Sequence, residues 1–131
     1  MIVLDASVVV ELLIDGPLAD SIRTVMADDS GEALVPHLLD VEAISALCSL
    51  LAGNRIDQSQ CKQMLVKLGN FPAERMEHIA LLPRIWELRH NFTAYDATYI
   101  ALAEAMGATF LTCDRNLRKG HRAIVKVFAP V

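Results

Sequence analysis

The sequence has few aromatic residues: one Trp, two Tyr and four Phe among 131. Hydrophobic residues nevertheless make up 53%, so the core must be built from Leu, Ile, Val and Ala. Cysteine is scarce too. Cys48, Cys61 and Cys113 are odd in number and nowhere spaced as Cys-x-x-Cys, which argues against a disulfide framework and against a zinc knuckle. That usage suits a reducing cytoplasm. Positive charge is also in deficit, with 12 Lys and Arg against 16 Asp and Glu and a net charge of -4. Bulk attraction to nucleic acid is therefore excluded, leaving local or metal-assisted contact. No apolar run approaches the roughly 20 residues that a membrane-spanning helix needs. The apolar N-terminus is interrupted by Asp5 and Glu11 and has no basic residue before it, so it does not read as a signal peptide. The length suits one domain, residues 1–131, with enough buried surface for one core.

What is present begins with Ile2-Val-Leu4, a short apolar run without polar alternation. That pattern predicts a strand buried on both faces, as in a parallel sheet. It ends on Asp5, and Ala6 and Ser7 then open a helix carrying Val8, Val9, Val10, Leu12 and Leu13. Asp5 would thus lie at the carboxyl end of a central strand, the edge where open α/β sheets bind ligands. The competing reading is that Asp5 or Ser7 only caps the helix.

Further along, Asp15-Gly-Pro17 breaks the chain, a helix follows over Leu18–Ala27, and Asp28–Gly31 is a turn. Ala33-Leu-Val35, closed by Pro36, is a second strand. Helices are predicted from His37 to Leu51, from the capping box at Asp57–Gln60 to Leu68, from Pro83 to His90, and from Thr93 to Gly107. Glu74–His78, Thr109–Thr112 and Ile124–Phe128 are the remaining strands, with a turn or short helix at Asp114–Leu117. Strands alternating with helices imply an α/β fold with a parallel sheet covered on both faces, a three-layer sandwich of Rossmann-like kind.

Three more acids share the placement of Asp5. Glu42 sits in a helix whose neighbours are nearly all apolar or small, Asp96 starts a helix, and Asp114 follows a strand. Each has an ordinary structural excuse: an exposed stripe for Glu42, a Thr93-x-x-Asp96 cap, a turn residue for Asp114. Strand ends and the following helix starts lie on one edge of a parallel sheet, so the four carboxylates would converge on one cleft. Such a cluster repels itself unless it holds a cation, and ligands that are all oxygen select Mg²⁺ or Mn²⁺. Ions of this kind activate water and clamp a phosphodiester. Ser7 and Thr112 stand beside Asp5 and Asp114 and could orient the carboxylates. The segment after Asp114 holds Arg115, Arg118, Lys119, Arg122 and Lys126 and no acid. It could hold substrate phosphates, or be a solvated turn.

Ile2-Val-Leu-Asp-Ala-Ser7, Glu42 after Val35-Pro36, Tyr95-Asp-Ala97 and Leu111-Thr-Cys-Asp-Arg-Asn-Leu117 together resemble the PIN-domain ribonucleases, above all the VapC toxins of bacterial toxin–antitoxin pairs. The resemblance covers essentially the whole chain and keeps the motif order. It implies a helix-flanked sheet, often dimeric, with Asp5, Glu42, Asp96 and Asp114 as the metal cluster. It implies cleavage of single-stranded RNA and inhibition by a VapB antitoxin. Asn116 stands where some PIN domains carry another acid, which bears on a second metal site. The alternatives are a phosphatase or phosphoryl-transfer domain on a similar sheet, and a non-catalytic module that keeps the fold. Against the first, Ser7 replaces the second acid of an Asp-x-Asp pair. Against the second, a dead copy has no reason to keep self-repelling carboxylates.

Overall fold

The computed structural model describes residues 1–29 and 31–130. Its centre is β1 (Ile2–Leu4), in which Val3 and Leu4 are wholly buried. The chain continues through α1 (Ala6–Leu13), α2 (Ala19–Asp28), β2 (Ala33–Pro36), α3 (Leu38–Ala52), α4 (Gln58–Gly69) and β3 (Glu74–Met76). Then follow α5 (Leu82–Glu87), α6 (Ala94–Met106), β4 (Thr109–Thr112) and β5 (Ile124–Val127). All strand pairings are parallel, in the order β3-β2-β1-β4-β5.

That order decides the layers. From β1 the chain steps outward to β2 and then β3, returns past the centre to β4, and steps out again to β5. Crossovers between parallel strands are right-handed, so reversing the step moves the connecting helices to the other face. Accordingly α1, α2, α3 and α4 pack on one another, while α6 crosses β1, β2 and β4 and carries α5. Every residue from Ala97 to Ala103 is buried, as expected of a helix held between a sheet and a second helix.

Local chemistry explains the boundaries. Val8, Val9 and Val10 favour strands, yet they are buried in α1 because Asp5 caps the helix and the valines face the core. The capping box at Asp57 and Gln60 forms with both bonds at 2.8 Å. Gly107 ends α6 in the left-handed conformation, φ 60°.

The structure differs from the sequence expectation in places. The expected helix from Pro83 to His90 is a composite: a 3-10 turn at Ile79–Leu81, then α5, then a 3-10 turn at Leu88–His90. Here the Leu88 N–H reaches the carbonyls of Arg84, Ile85 and Trp86, and the winding tightens. β3 stops at Met76 and not at His78, and β5 stops at Val127 and not at Phe128. Residues Asp114 to Leu117 form a turn without a helix. Within the expected turn Asp28–Gly31, residue 30 lies outside the described residues. Among the described residues no helix is long and apolar enough to cross a membrane.

Candidate active site

The reversal of strand order places a switch point between the carboxyl ends of β1 and β4. Asp5 follows β1 directly; it caps α1 and also lines the acid pocket. Its Oδ1 accepts from the Val8 N–H at 3.1 Å and from the Ser7 hydroxyl, and its Oδ2 accepts from the Thr112 hydroxyl. The Cys113 N–H donates to Ser7 Oγ at 3.0 Å, and the Asp114 N–H donates to Thr112 Oγ1 at 3.0 Å. The two strand ends are thus stitched together through one carboxylate and two hydroxyls. Asp114 accepts from the Asn116 N–H at 2.8 Å, so Asn116 orients it through the backbone. Asp96 lies in the first turn of α6, where its N–H donates to the capping Thr93 Oγ1 at 3.1 Å.

Asp5, Ser7, Glu42, Asp96 and Asp114 line a single pocket of about 280 Å³. The four acids predicted from sequence are brought together, with Tyr99 and Cys113 completing the wall. Among the described residues, the buried side-chain polar atoms without a hydrogen bond are Glu42 Oε1 and the Tyr99 hydroxyl. The hydroxyl still acts on the carboxylate as a neighbouring dipole, though the pair lacks hydrogen-bond geometry. The acids surround the pocket without a ready-made cage: among the described residues no three His, Cys, Asp or Glu side chains form one.

The electrostatics are those of crowded carboxylates. Burial pushes the Asp5 pKa up; the Ser7, Thr112 and Val8 bonds oppose it, and the Asp96 charge adds to it. Burial likewise raises Glu42, against the Tyr99 hydroxyl and with the charges of Asp96 and Asp5. Asp96 is raised by burial and then by Asp114, against the Thr93 hydroxyl. Burial also raises Tyr99, with the nearby acids reinforcing it. Asp5, Glu42 and Asp96 thus resist ionisation, and a cation placed among them would favour their charged forms.

The basic residues expected to meet RNA divide. Arg118 lines a cleft that opens onto Asp96 and Asp114, whereas Arg115 and Lys119, both exposed, do not line it. Arg122 is committed elsewhere, 3.8 Å from Glu104. Sequence reasoning missed Tyr99, which reads as one more apolar position of α6. It also missed Arg89, His90 and Asn91, which line the same cleft as Arg118. For Tyr99 the signal was a hydroxyl on a helix face otherwise apolar. For residues 89–91 there was none, because the opposite wall of the cleft, Asp114, Asn116 and Arg118, lies more than 20 residues away in sequence.

A PIN-domain family model matches residues 2–122. The VapC ribonuclease Mb0985 of Mycobacterium bovis is 36% identical over 117 residues, covering 89% of this chain and 88% of that one. Among solved structures, PAE2754 from Pyrobaculum aerophilum superposes with a TM-score of 0.70 at 23% identity, covering 95% of this chain and 81% of the other. VapBC2 from Rickettsia felis, bound to a DNA fragment from its promoter, gives 0.66 at 15% identity, covering 98% and 99%. With its acids gathered at the switch point of a five-stranded parallel sheet and its sequence matched over residues 2–122, the chain belongs to the PIN-domain family, among the VapC ribonucleases.

Proposed function

We propose that the protein is an endoribonuclease toxin that hydrolyses RNA phosphodiester bonds with Mg²⁺, or Mn²⁺, at Asp5, Glu42, Asp96 and Asp114. The observation that carries this reading is the pocket itself: four carboxylates from four elements around one small space, with Glu42 Oε1 buried and unpartnered. An oxygen-only donor set fits a hard cation. Among the described residues the acids form no closed cage, so an ion there would keep part of its own water shell. When bound, such an ion supplies a lowered pKa for water and charge neutralisation at the phosphate.

The chain's own residues do the rest. Ser7 and Thr112 hold both oxygens of Asp5, so its orientation is set before any ligand arrives. The Asn116 N–H does the same for Asp114. Glu42 keeps an oxygen free to accept a proton from the attacking water, whose oxygen bonds to phosphorus. The phosphorus–oxygen bond to the leaving ribose breaks, and that oxygen takes up a proton. Naming among the relatives supports RNA as the substrate.

The partner in this reading is a VapB-type antitoxin, in line with the structurally similar VapBC2. The reading also takes the toxin to be a homodimer. A groove of about 650 Å³ between α1 and α3, lined by Val10, Leu38, Val41 and Tyr95, adjoins the acids at Ser7 and Glu42. An apolar antitoxin segment fits it, with an Arg or Lys reaching the carboxylates. Replacing that residue by Ala is expected to restore cleavage in the complex while binding largely survives. Inhibition unchanged after removal of every basic residue of the antitoxin would show that the cation has no part in it.

The deciding experiment incubates purified protein with single-stranded and structured RNAs, with and without Mg²⁺, and maps the cut ends. Internal cuts are expected with Mg²⁺ or Mn²⁺ and none after divalent ions are removed. Asp96→Asn is expected to lower cleavage by at least about a hundredfold. Wild-type activity in that variant, or full activity without divalent ions, rules the reading out.

A further inference from the structure

The acid pocket has two exits of opposite chemistry. One is the groove between α1 and α3, apolar and bordered by Glu11 and Glu42. The other is the cleft between the 3-10 turn ending at His90 and the turn after β4, about 550 Å³ in volume. It opens onto Asp96 and Asp114 and is lined beyond them by Arg89, His90, Asn91, Asn116 and Arg118. That volume accommodates a group the size of one nucleotide.

The two arginines are the informative residues. Among the described residues, Arg23, Arg75, Arg84 and Arg122 all form ion pairs with acids. Arg89 and Arg118 form none, although two carboxylates share their cleft. Arg55 and Arg115 are unpaired too, but neither lines this cleft, so it is the position at the mouth of the acid pocket that singles out the pair. Arg89 is also oriented in advance. Its guanidinium lies 4.3 Å from the centre of the exposed Trp86 ring and donates to the Trp86 carbonyl at 2.9 Å. A planar donor fixed in this way suits a phosphate.

The walls are braced against each other. Gly120, at φ 106°, lies so close to Asn91 that a Cβ there would come within 2.5 Å of the amide nitrogen. The His121 ring packs on Phe92 with centroids 5.8 Å apart. A braced cleft holding arginines without ion pairs at the mouth of the acid pocket suits a phosphodiester backbone.

We infer that the RNA strand runs from the acid pocket into this cleft, with Arg89 and Arg118 on backbone phosphates next to the scissile one. The groove on the other side is thereby left to the protein partner. This inference rests on the endoribonuclease reading above.

The test uses Trp86, the only tryptophan in the chain, as a built-in reporter beside Arg89. A short single-stranded oligoribonucleotide is titrated into the protein with EDTA present, followed by Trp86 fluorescence and by anisotropy of the labelled RNA. Arg89→Gln and Arg118→Gln are each expected to weaken binding about three- to tenfold at low salt and to reduce the salt slope by about one. Arg89→Lys and Arg118→Lys should retain most of the slope, which separates lost charge from lost fold. Lys62→Gln, an equal charge change outside the cleft, should leave binding unchanged. With Mg²⁺ present, the Gln variants should raise KM and leave kcat within about twofold.

Unchanged binding in both Gln variants, or an equal loss in Lys62→Gln, overturns the proposal. Weakened binding of the antitoxin with RNA binding intact also overturns it and assigns the cleft to a protein. Should the wild type bind RNA through these arginines yet cleave none with Mg²⁺, the endoribonuclease reading falls and the RNA seat stands. Should it cleave RNA while the variants keep KM and slope, the seat falls and the reading stands.

Discussion

The carboxylate of Asp5 ends β1, caps α1 and faces the pocket, and its hydrogen bonds to Val8, Ser7 and Thr112 serve all three positions at once. Asp5→Ala therefore does more than empty a ligand position. Losing the cap is expected to cost about 1 kcal/mol, read as a lower urea midpoint, alongside lost cleavage. Asp5→Asn keeps an acceptor for Val8 and should lose cleavage with a smaller stability change. Since both variants remove the buried charge, Asp5→Ala should be less stable than Asp5→Asn, and equal stability of the two would remove the cap from this account. Tyr99 presents the opposite balance. Its buried hydroxyl has no partner, so Tyr99→Phe is expected to leave stability unchanged or slightly raised. If the hydroxyl orients Glu42, the same variant lowers kcat about tenfold with little change in KM. An unaltered kcat would make Tyr99 a core residue only.

Two arginine clamps fasten elements that packing alone leaves loose. Arg75, on the edge strand β3, pairs with Asp40 at 2.9 Å and donates to the carbonyls of Leu68, Phe71 and Ala73. It thereby ties β3 to the end of α4 and the start of α3, which is why a strand of mixed polarity holds there. Arg84 on α5 donates to Glu104 on α6 at 2.8 Å, and the Arg122 N–H donates to the same carboxylate at 3.2 Å. The Glu104 side chain is only 8% exposed. Burial alone would raise its pKa, but the Arg84 bonds, the Arg122 N–H and both charges bring it below the ordinary 4.5. A lowered folded-state pKa means stability that is present above about 4.5 and lost as pH falls through the folded value. Glu104→Gln is therefore expected to cost about 2 kcal/mol at neutral pH, with the gap to wild type closing below the ordinary Glu pKa. Denaturant unfolding across that range measures it, and a gap independent of pH would sink the clamp.

Over the whole molecule the acid pocket works in the other direction. Asp5, Glu42 and Asp96 all have folded-state pKa values above their ordinary ones. For a carboxylate raised by folding, the native state binds the extra proton, so its contribution is full below the unfolded pKa and lost as pH rises through the folded one. Without divalent ions, Asp96→Asn should consequently gain thermal stability relative to wild type as pH rises from about 4 to neutrality. Mg²⁺ should raise the wild-type Tm at neutral pH more than that of Asp96→Asn, since an ion that binds only the folded state stabilises it. A variant that loses ground steadily over that pH range, or gains as much from Mg²⁺, would show that Asp96 does not belong to a self-repelling, ion-binding set.

By itself the sequence determined most of the elements and several of their edges. The buried runs at Ile2–Leu4 and Ala33–Pro36, the caps at Asp5, Asp57 and Thr93, and the left-handed stop at Gly107 depend on residues within a few positions of one another. Such signals survive in a one-dimensional string. The four acids were readable for the same reason, because each stands at a strand end or near a helix start and the parallel sheet brings those positions to one edge. The composite helix at residues 79–90 was not readable, because its tightening depends on burying Leu88 under a neighbouring helix. Tertiary structure alone decided which face of Tyr99 meets Glu42, that Arg122 is spent on Glu104, and that Arg89 and Arg118 share a cleft. Those outcomes follow from the reversal of the chain after β3, which sends α5 and α6 to the opposite face and folds the segment after β4 against residues 89–92. No local pattern encodes that meeting, since its two walls are brought together only when the sheet closes around β1.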